Sequence, residues 1–253
     1  MNTQELLSPI FQHRSIRKYK NQAISEEVLH LLLEAGSRAS TTGNMQLYSI
    51  IVTQDTEQKK ALAPLHFNQA MISEAPLVLT FAADIHRFHQ WCEINKAGKV
   101  YDNFAWFLNG MTDTLLSAQN VAIAAEAQGL GICYLGTTIY MAKEIAEFFK
   151  FPEGVIPITT LTIGYPAEEP ELAPRLALEA VVHREQYHNY KEEEIRNFFA
   201  SKENTEETKK LLQVNDLPNL AQIFTLKRYP QKDNIEFSKR YLRFLQENGF
   251  MNQ

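Results

Sequence analysis

This chain of 253 residues has few cysteines and no excess of positive charge. It has two cysteines, Cys92 and Cys133, whereas a secreted disulfide framework normally needs more, so buried free thiols are expected. The 25 Lys and Arg against 30 Asp and Glu give a net charge of -5. This balance provides no general attraction to nucleic acid or to an anionic membrane. Any anionic ligand must therefore be held by a local cluster of positive charge.

Long apolar runs are also missing. No run reaches the roughly 18 apolar residues that span a bilayer, and residues 1–5 lack the basic region of a secretory signal. The composition, 45% hydrophobic and 22% charged, is typical of a globular protein rather than a disordered or fibrous one. The sequence therefore predicts a cytoplasmic protein with no membrane partner and no nucleic-acid partner.

Several signatures of catalytic and metal sites are absent as well. The dinucleotide fingerprint G-x-G-x-x-G fails because Tyr134 stands where the third glycine is needed, and neither G-x-x-x-x-G-K-[ST] nor G-x-S-x-G occurs. His86, His89 and Cys92 lie three residues apart, but no carboxylate or second cysteine pair completes a zinc spacing. A Rossmann site, a phosphate loop, an esterase and a metal centre are therefore all disfavoured.

The hydrophobic pattern predicts alternating helices and strands. Ser25 followed by Glu26 and Glu27 indicates a helix N-terminus, since the hydroxyl can cap free N–H groups and acids favour the positive end of the dipole. The core-facing stripe of that helix is expected to be Val28, Leu31, Leu32 and Ala35. Further helices are predicted for 108–128, ended by Gly129, and for 142–149. Strands are predicted for 48–52, 77–83, 131–136, 159–165 and 178–183.

Two apolar surfaces are predicted to pack against another surface. The helix at 108–128 is apolar nearly all round, and the segment 237–250 carries Tyr241, Phe244 and Leu245 on one face. Either surface can be buried within one subunit or against a second copy of the chain. The sequence pattern leaves both possibilities open.

Two short segments concentrate groups that bind anions or polar ligands. Residues 13–18 hold four potentially cationic side chains and one hydroxyl, and an extended backbone would send Ser15 and Arg17 to the same side. They form either a phosphate site or a solvated basic start to the fold. Residues 40–46 collect short hydrogen-bonding side chains around Gly43 and form either a ligand loop or an ordinary turn.

These segments, taken together, resemble the flavin-dependent nitroreductase family, and within it the NADPH-preferring oxygen-insensitive nitroreductase and flavin reductase group. The resemblance is carried by residues 13–17, by 118–126 followed by 129–131, and by 163–168 running to 174–176. Order and spacing agree from about residue 5 to 190, and the likeness returns at 241–250. Each motif alone is weak, whereas the three in the family's order are specific.

The resemblance implies bound FMN and assigns residues to it. His13, Arg14 and Ser15 would contact the phosphate, and Arg17 would reach the ring edge that becomes anionic on reduction. The remaining implied contacts are made by the 40–46 loop, by an amide side chain at the ring, by the segment against the flavin face, and by a phosphate-binding arginine further along the chain. They are Ser40, Thr41, Asn44, Gln69, Tyr134, Leu135, Gly136, Thr137 and Arg175.

The chain departs from the family's pattern at two basic positions. Ala173 stands where close relatives have a phosphate-binding lysine, and Ile139 replaces the basic residue that relatives offer to the substrate. Lys202 lies roughly where relatives place an arginine for the 2′-phosphate of NADPH. Because of these departures, the resemblance does not carry over one phosphate contact or the preference for particular electron acceptors.

The resemblance also implies a fold and an activity. The fold is α+β, a mainly antiparallel central sheet flanked by helices, assembled as an intertwined homodimer with an FMN-binding core at 1–190 and a helical extension at 191–253. The activity is hydride transfer from NADPH or NADH through FMN to nitroaromatics, quinones or free flavin by a ping-pong cycle, without an assigned catalytic acid or base. The alternatives are a flavin-sequestering protein with little turnover and an acidic scaffold whose basic segment merely binds anions.

Overall fold

The computed structural model describes residues 3–252, so Met1 and Asn2, part of the segment inspected for a secretory signal, lie outside the described residues. Within this described part of the chain there are four strands, β1 (Tyr48–Thr53), β2 (Leu77–Asp84), β3 (Gly131–Leu135) and β4 (Val155–Gly164). The first six helices are α1 (Thr3–Phe11), α2 (Glu26–Ser37), α3 (Thr56–Leu62), α4 (Ala70–Glu74), α5 (His86–Ile94) and α6 (Phe104–Ala127). The later helices are α7 (Thr137–Tyr140), α8 (Ala142–Phe148), α9 (Glu192–Glu203), α10 (Glu206–Asn215), α11 (Leu220–Ile223) and α12 (Gln231–Glu247).

The described chain falls into two compact units. The first contains the residues up to Glu171 together with those from Lys239 onward, and the second is Leu172–Ser238. All four strands and the helices α1 to α8 lie in the first unit, whereas α9 to α11 lie in the second. The division into an FMN-binding core at 1–190 and an extension at 191–253 describes function and stays a prediction.

The sheet is antiparallel throughout, in the order β1-β2-β4-β3. Every residue of β2 and β4 is buried, because these central strands are covered on both faces. Covered strands carry apolar side chains on both faces, which is why the sequence of β2 is a nearly continuous apolar run. Strand β4 also buries Thr159, Thr160 and Thr162. The arrangement confirms the predicted α+β class and its mainly antiparallel sheet flanked by helices.

The main core lies between the sheet and the helix pair α2 and α6. Leu32 of α2 and Val121 of α6 belong to one buried cluster with Leu79 and Leu161 of the sheet. A Cβ built on Gly36 would lie 2.7 Å from Val121 Cγ2, so α2 can approach α6 this closely only with glycine there. Within residues 3–252 no helix is both long and apolar enough to cross a membrane.

The C-terminal apolar face docks on its own chain. Phe244, Leu245 and Phe250 are buried in a cluster with Ile85 and Phe107 of the same unit. The sequence pattern leaves two possibilities open for this face, and the structure shows burial within the single chain for Phe244 and Leu245. The apolar side chains of this segment therefore stabilise the fold of the single chain.

Two details of the predicted elements are also wrong. Residues 178–183 form no strand; Leu178–Ala180 is a 3-10 turn, and no strand occurs within the described second unit for this segment to pair with. In α2 the buried residues are Leu29, Leu32 and Gly36, while Leu31 is 42% exposed. The stripe is rotated because Gly36 must face α6, which a pattern of large apolar residues does not indicate.

Candidate functional site

The basic segment lies along the free edge of β3. Ser15 pairs with Ile132 in a parallel bridge, and the Ile16 backbone nitrogen donates to the Ile132 carbonyl at 2.9 Å. Ile16 is buried, Ser15 is half-buried and Arg17 is exposed. This alternation agrees with the expected extended backbone, which turns Ile16 into the core and leaves Ser15 and Arg17 available to a ligand.

Two glycines allow this segment to pack so closely. A Cβ on Gly131 would lie 2.5 Å from Ile16 Cγ1, and a Cβ on Gly164 would lie 2.5 Å from Pro76 Cδ. The two glycines face each other across the β3 and β4 pair. Each glycine is required because a side chain from another segment lies where a Cβ would be. This explains physically why glycine stands at these two motif positions.

His13 is held by an acid of α6. Its Nδ1 lies 2.6 Å from Glu126 Oε1, and both side chains are partly buried. Burial raises the pKa of Glu126, and the hydrogen bond with His13 opposes that effect only in part. With Nδ1 engaged by Glu126, Nε2 is the His13 nitrogen that remains to meet a ligand.

The backbone of the basic segment is held by a second acid. Glu168 Oε1 accepts hydrogen bonds from the backbone nitrogens of Arg17 at 2.7 Å and Lys18 at 3.1 Å. Arg14 donates to Glu169 Oε1 at 3.2 Å and to the Pro170 carbonyl at 3.1 Å. The first sequence motif, which lies more than a hundred residues before the other two in the chain, therefore meets both of them at this sheet edge.

The loop at 40–46 is tied to the middle of α6. Asp113, which is 1% exposed, accepts hydrogen bonds from the backbone nitrogens of Thr42 at 2.8 Å and Leu47 at 3.1 Å. Asn44 has a positive φ of 56° and is exposed, as is Ser40, while Thr41 is half-buried. Among residues 3–252 no hydrogen bond or ion pair joins this loop to residues 13–17, so their shared role stays a prediction.

The segment 134–137 leaves β3 with an open side. Apart from its two chain neighbours, a Cβ built on Gly136 would meet no described atom within 4 Å, so the space beside this backbone position is open. Thr137 is the meeting point of two further side chains: its Oγ1 lies 2.8 Å from His66 Nδ1 and 3.4 Å from Gln69 Nε2. The structure therefore brings the predicted residues Gln69 and Thr137 together.

Comparison with known proteins settles the family. Residues 10–165 match the profile described as the Nitroreductase family, which is more than half of the chain. A relative from Bacillus subtilis strain 168, named FMN reductase (NADPH), is 34% identical over 183 residues, covering 72% of this chain and 74% of that protein. This chain belongs to the nitroreductase family. The predicted family is thereby confirmed.

Solved structures agree with this nitroreductase assignment. A crystal structure from Bacteroides fragilis NCTC 9343 is 47% identical, with a TM-score of 0.95 and coverage of 97% of this chain and 100% of the other. The NADPH:FMN oxidoreductase from Vibrio harveyi, solved in complex with NAD+, is 28% identical, with a TM-score of 0.82 and coverage of 98% and 100%. The predicted nitroreductase fold is therefore confirmed.

The other predicted residues of this nitroreductase belong to both compact units of the chain. Tyr134 is half-buried and Leu135 is buried at the end of β3, next to exposed Gly136. Ile139 is 40% exposed in α7. Arg175 and Ala173 are exposed in the second compact unit. In the same unit, the Lys202 ammonium lies 6.0 Å from the centre of the Phe199 ring. The roles assigned to Arg175 and Lys202 stay predictions.

Three side chains that organise this site were not identified from the sequence. Asp113 and Glu126 are the two acids of the otherwise largely apolar α6, and an acid on such a helix is a usable signal, since buried charge must be paired. His66 lies between Leu65 and Phe67 and has no such signal. Its contact with Thr137 depends on two segments that lie 71 residues apart.

Proposed function

We propose that this chain is an FMN-dependent oxidoreductase that takes hydride from NADPH or NADH and passes it to nitroaromatics, quinones or free flavin by a ping-pong cycle. The observation that carries the proposal is its nitroreductase membership combined with the basic segment 13–17 on the β3 edge. The names of the relatives support the cofactors, since one is an FMN reductase (NADPH) and another an NADPH:FMN oxidoreductase in complex with NAD+.

The residues present fit FMN. His13, Arg14 and Ser15 are half-buried donors, the types of group that bind phosphate oxygens through charge-assisted hydrogen bonds. The space beside Gly136 is open, and a flat ring would lie there next to Thr137, a half-buried residue with a polar hydroxyl. A phosphate group and a planar polar ring are both parts of FMN.

The chain's own groups would act by position and charge. When bound, FMN supplies a ring that accepts a hydride from the nicotinamide and gives it up to the second substrate. Arg17 would stabilise the ring edge on which negative charge develops, which is the usual role of a fixed cation near a reacting group. No side chain is assigned to proton transfer, because solvent can deliver protons to an exposed ring.

We propose a homodimer as the working assembly. On α6, Leu108, Leu115 and Leu116 are 40%, 41% and 43% exposed, and Ile10 and Phe11 of the neighbouring α1 are 50% and 68% exposed. Large apolar side chains grouped on two adjacent helices are typical of an interaction surface. Light scattering should give twice the mass of one chain, and a monomer that still binds FMN at micromolar protein would contradict this assembly.

The proposal includes a cytoplasmic location. Its supporting observation is that both cysteines are free and buried, as is usual where thiols are kept reduced. Fractionation of the producing cell tests this location directly.

Reconstitution with FMN tests the activity. The purified protein should be yellow, should bleach on anaerobic addition of NADPH, and should regain its colour when a quinone or nitroaromatic is added. Steady-state rates at several fixed acceptor concentrations should give parallel double-reciprocal lines. A colourless protein that does not retain FMN would refute the proposal, whereas a yellow protein that NADPH cannot bleach would favour flavin sequestration.

A further inference from the structure

His66 is a buried histidine with an incomplete set of partners. Its side chain is 0% exposed, in the 3-10 turn Ala63–His66. Its Nδ1 lies 2.8 Å from Thr137 Oγ1, and its Nε2 has no hydrogen-bond partner within the described part of the chain. Burial lowers the pKa of His66 to about 4, so the neutral ring carries one proton at pH 7.

The place of that proton follows from the cost of burying polar groups. A proton on Nε2 would leave a buried N–H donor without a partner among residues 3–252. A proton on Nδ1 is donated to the Thr137 oxygen, and only a lone pair on Nε2 stays unpaired. Unpaired buried N–H groups are rarer than acceptors with unused lone pairs. The Nδ1–H tautomer of His66 is therefore the favourable one.

The Thr137 hydroxyl then has one hydrogen-bonding group left over, its proton. Its oxygen accepts from His66 Nδ1 and, at 3.4 Å, from Gln69 Nε2, so both of its lone pairs are engaged. A hydroxyl group has two lone pairs and one proton. No described residue accepts that proton, and Thr137 is only half-buried. The hydroxyl proton of Thr137 is therefore left without an acceptor among residues 3–252, and the neighbouring Gly136 is exposed.

We propose that His66 is a positioning residue that, together with Gln69, orients the Thr137 hydroxyl as a hydrogen-bond donor to an acceptor atom of the isoalloxazine ring. The inference rests on the proposed function, because segment 134–137 is assigned to the flavin face. A donor directed at a ring carbonyl or ring nitrogen interacts differently with the oxidised and the reduced ring, since the electron density at these atoms changes on reduction. The His66–Thr137 pair therefore tunes the midpoint potential of the bound flavin as well as its affinity.

Variants at position 137 test the donor. Thr137→Val should weaken FMN binding about two- to tenfold, the range of one neutral hydrogen bond, and should shift the midpoint potential. Thr137→Ser keeps the hydroxyl and should behave as wild type. Thr138→Val is the matched control, because the Thr138 hydroxyl donates to the Leu135 carbonyl and forms a further hydrogen bond with the Thr160 hydroxyl, both within the protein. Unchanged affinity and potential in Thr137→Val, or weaker binding without a change in potential, would overturn the proposal.

Variants at position 66 test the positioning role. His66→Leu should reproduce the change in potential of Thr137→Val, and the double variant should show no further change. His66→Asn should restore the wild-type potential, because its amide can donate from nearly the position of Nδ1. Equal midpoint potentials in wild type and His66→Leu would show that His66 does not orient the Thr137 hydroxyl, and would overturn the positioning role.

The tautomer can be measured without flavin. Nitrogen chemical shifts of the histidine-labelled protein should show His66 protonated on Nδ1, and the Nε2–H tautomer would overturn the assignment even if His66→Leu fails to fold. A wild-type protein that retains no FMN would instead refute the proposed function. The two failures are therefore distinguishable.

Discussion

The carboxylate of Asp113 lies 2.8 Å from the backbone nitrogen of Thr42, although 71 residues separate them in the chain. The same helix holds His13 through Glu126. Helix α6 therefore organises two segments that are both assigned to FMN, the 40–46 loop and the basic segment 13–17. Its two acidic residues position the two segments that are proposed to bind FMN, while its buried apolar residues form part of the core.

Replacement of Asp113 by Asn should destabilise the protein. The carboxylate accepts two backbone N–H groups, whereas an amide offers one acceptor and places a donor against the other N–H group. Hydrogen bonds to charged groups contribute about 1.5–3 kcal/mol each, so the free energy of unfolding should fall by about 2–4 kcal/mol. Urea denaturation measures this loss. Asp55→Asn is the control, since Asp55 caps α3 and Asn caps a helix equally well.

Gly131→Ala should disturb the basic segment. The added Cβ would lie 2.5 Å from Cγ1 of buried Ile16, and overpacking of this kind costs about 1–3 kcal/mol. We expect lower stability by urea denaturation and weaker FMN binding by fluorescence titration. Combining Gly131→Ala with Ile16→Ala should relieve the clash, whereas Gly136→Ala should leave stability unchanged. Wild-type stability in Gly131→Ala would show that Ile16 is not fixed against β3.

Acid should destabilise the protein through His66. Burial lowers the pKa of His66 from 6.5 to about 4, so between these pH values the unfolded chain binds a proton that the folded chain does not. Stability from this group is fully present above pH 6.5 and is lost as the pH falls towards 4, by about 3 kcal/mol. Urea denaturation across this pH range should show this loss of unfolding free energy in wild type. In His66→Asn the loss should be smaller by about 3 kcal/mol. His30→Asn, at an exposed position of α2, should follow wild type.

Arg17→Ala should make bound FMN harder to reduce. Loss of the positive charge removes stabilisation of the anionic ring edge, so the midpoint potential should fall while Arg17→Lys restores part of it. The backbone of Arg17 stays held by Glu168 in either variant, because that hydrogen bond uses the backbone nitrogen. An unchanged potential with FMN fully bound would exclude Arg17 from the ring edge.

Arg175→Ala should weaken FMN binding roughly ten- to hundredfold, the effect of one charge-assisted hydrogen bond. The loss should be much smaller for riboflavin, which lacks the phosphate. Ala173→Lys should tighten FMN binding if the lysine reaches the same phosphate. Equal losses for FMN and riboflavin would mean that Arg175 acts on the ring or on folding.

The sequence by itself determined the family, the central strands and the residue types of the basic segment. Strand β2 was predictable because burial on both faces demands a nearly continuous apolar sequence, and β4 was predictable from its alternating, β-branched residues. Ser25 indicated the start of α2 through a local capping hydrogen bond. Local rules of this kind depend on neighbours in the chain, so they can be read from one sequence.

Only the tertiary structure decided which polar groups meet. The pairs Asp113 with Thr42, Glu126 with His13, and His66 with Thr137 each join segments at least 71 residues apart. The rotated face of α2 and the docking of Phe244 and Leu245 on their own chain likewise depend on which surfaces the packed sheet presents. A hydrogen bond or a close contact requires placement within a fraction of an ångström, and that placement is set by the packing of the whole core rather than by local sequence pattern.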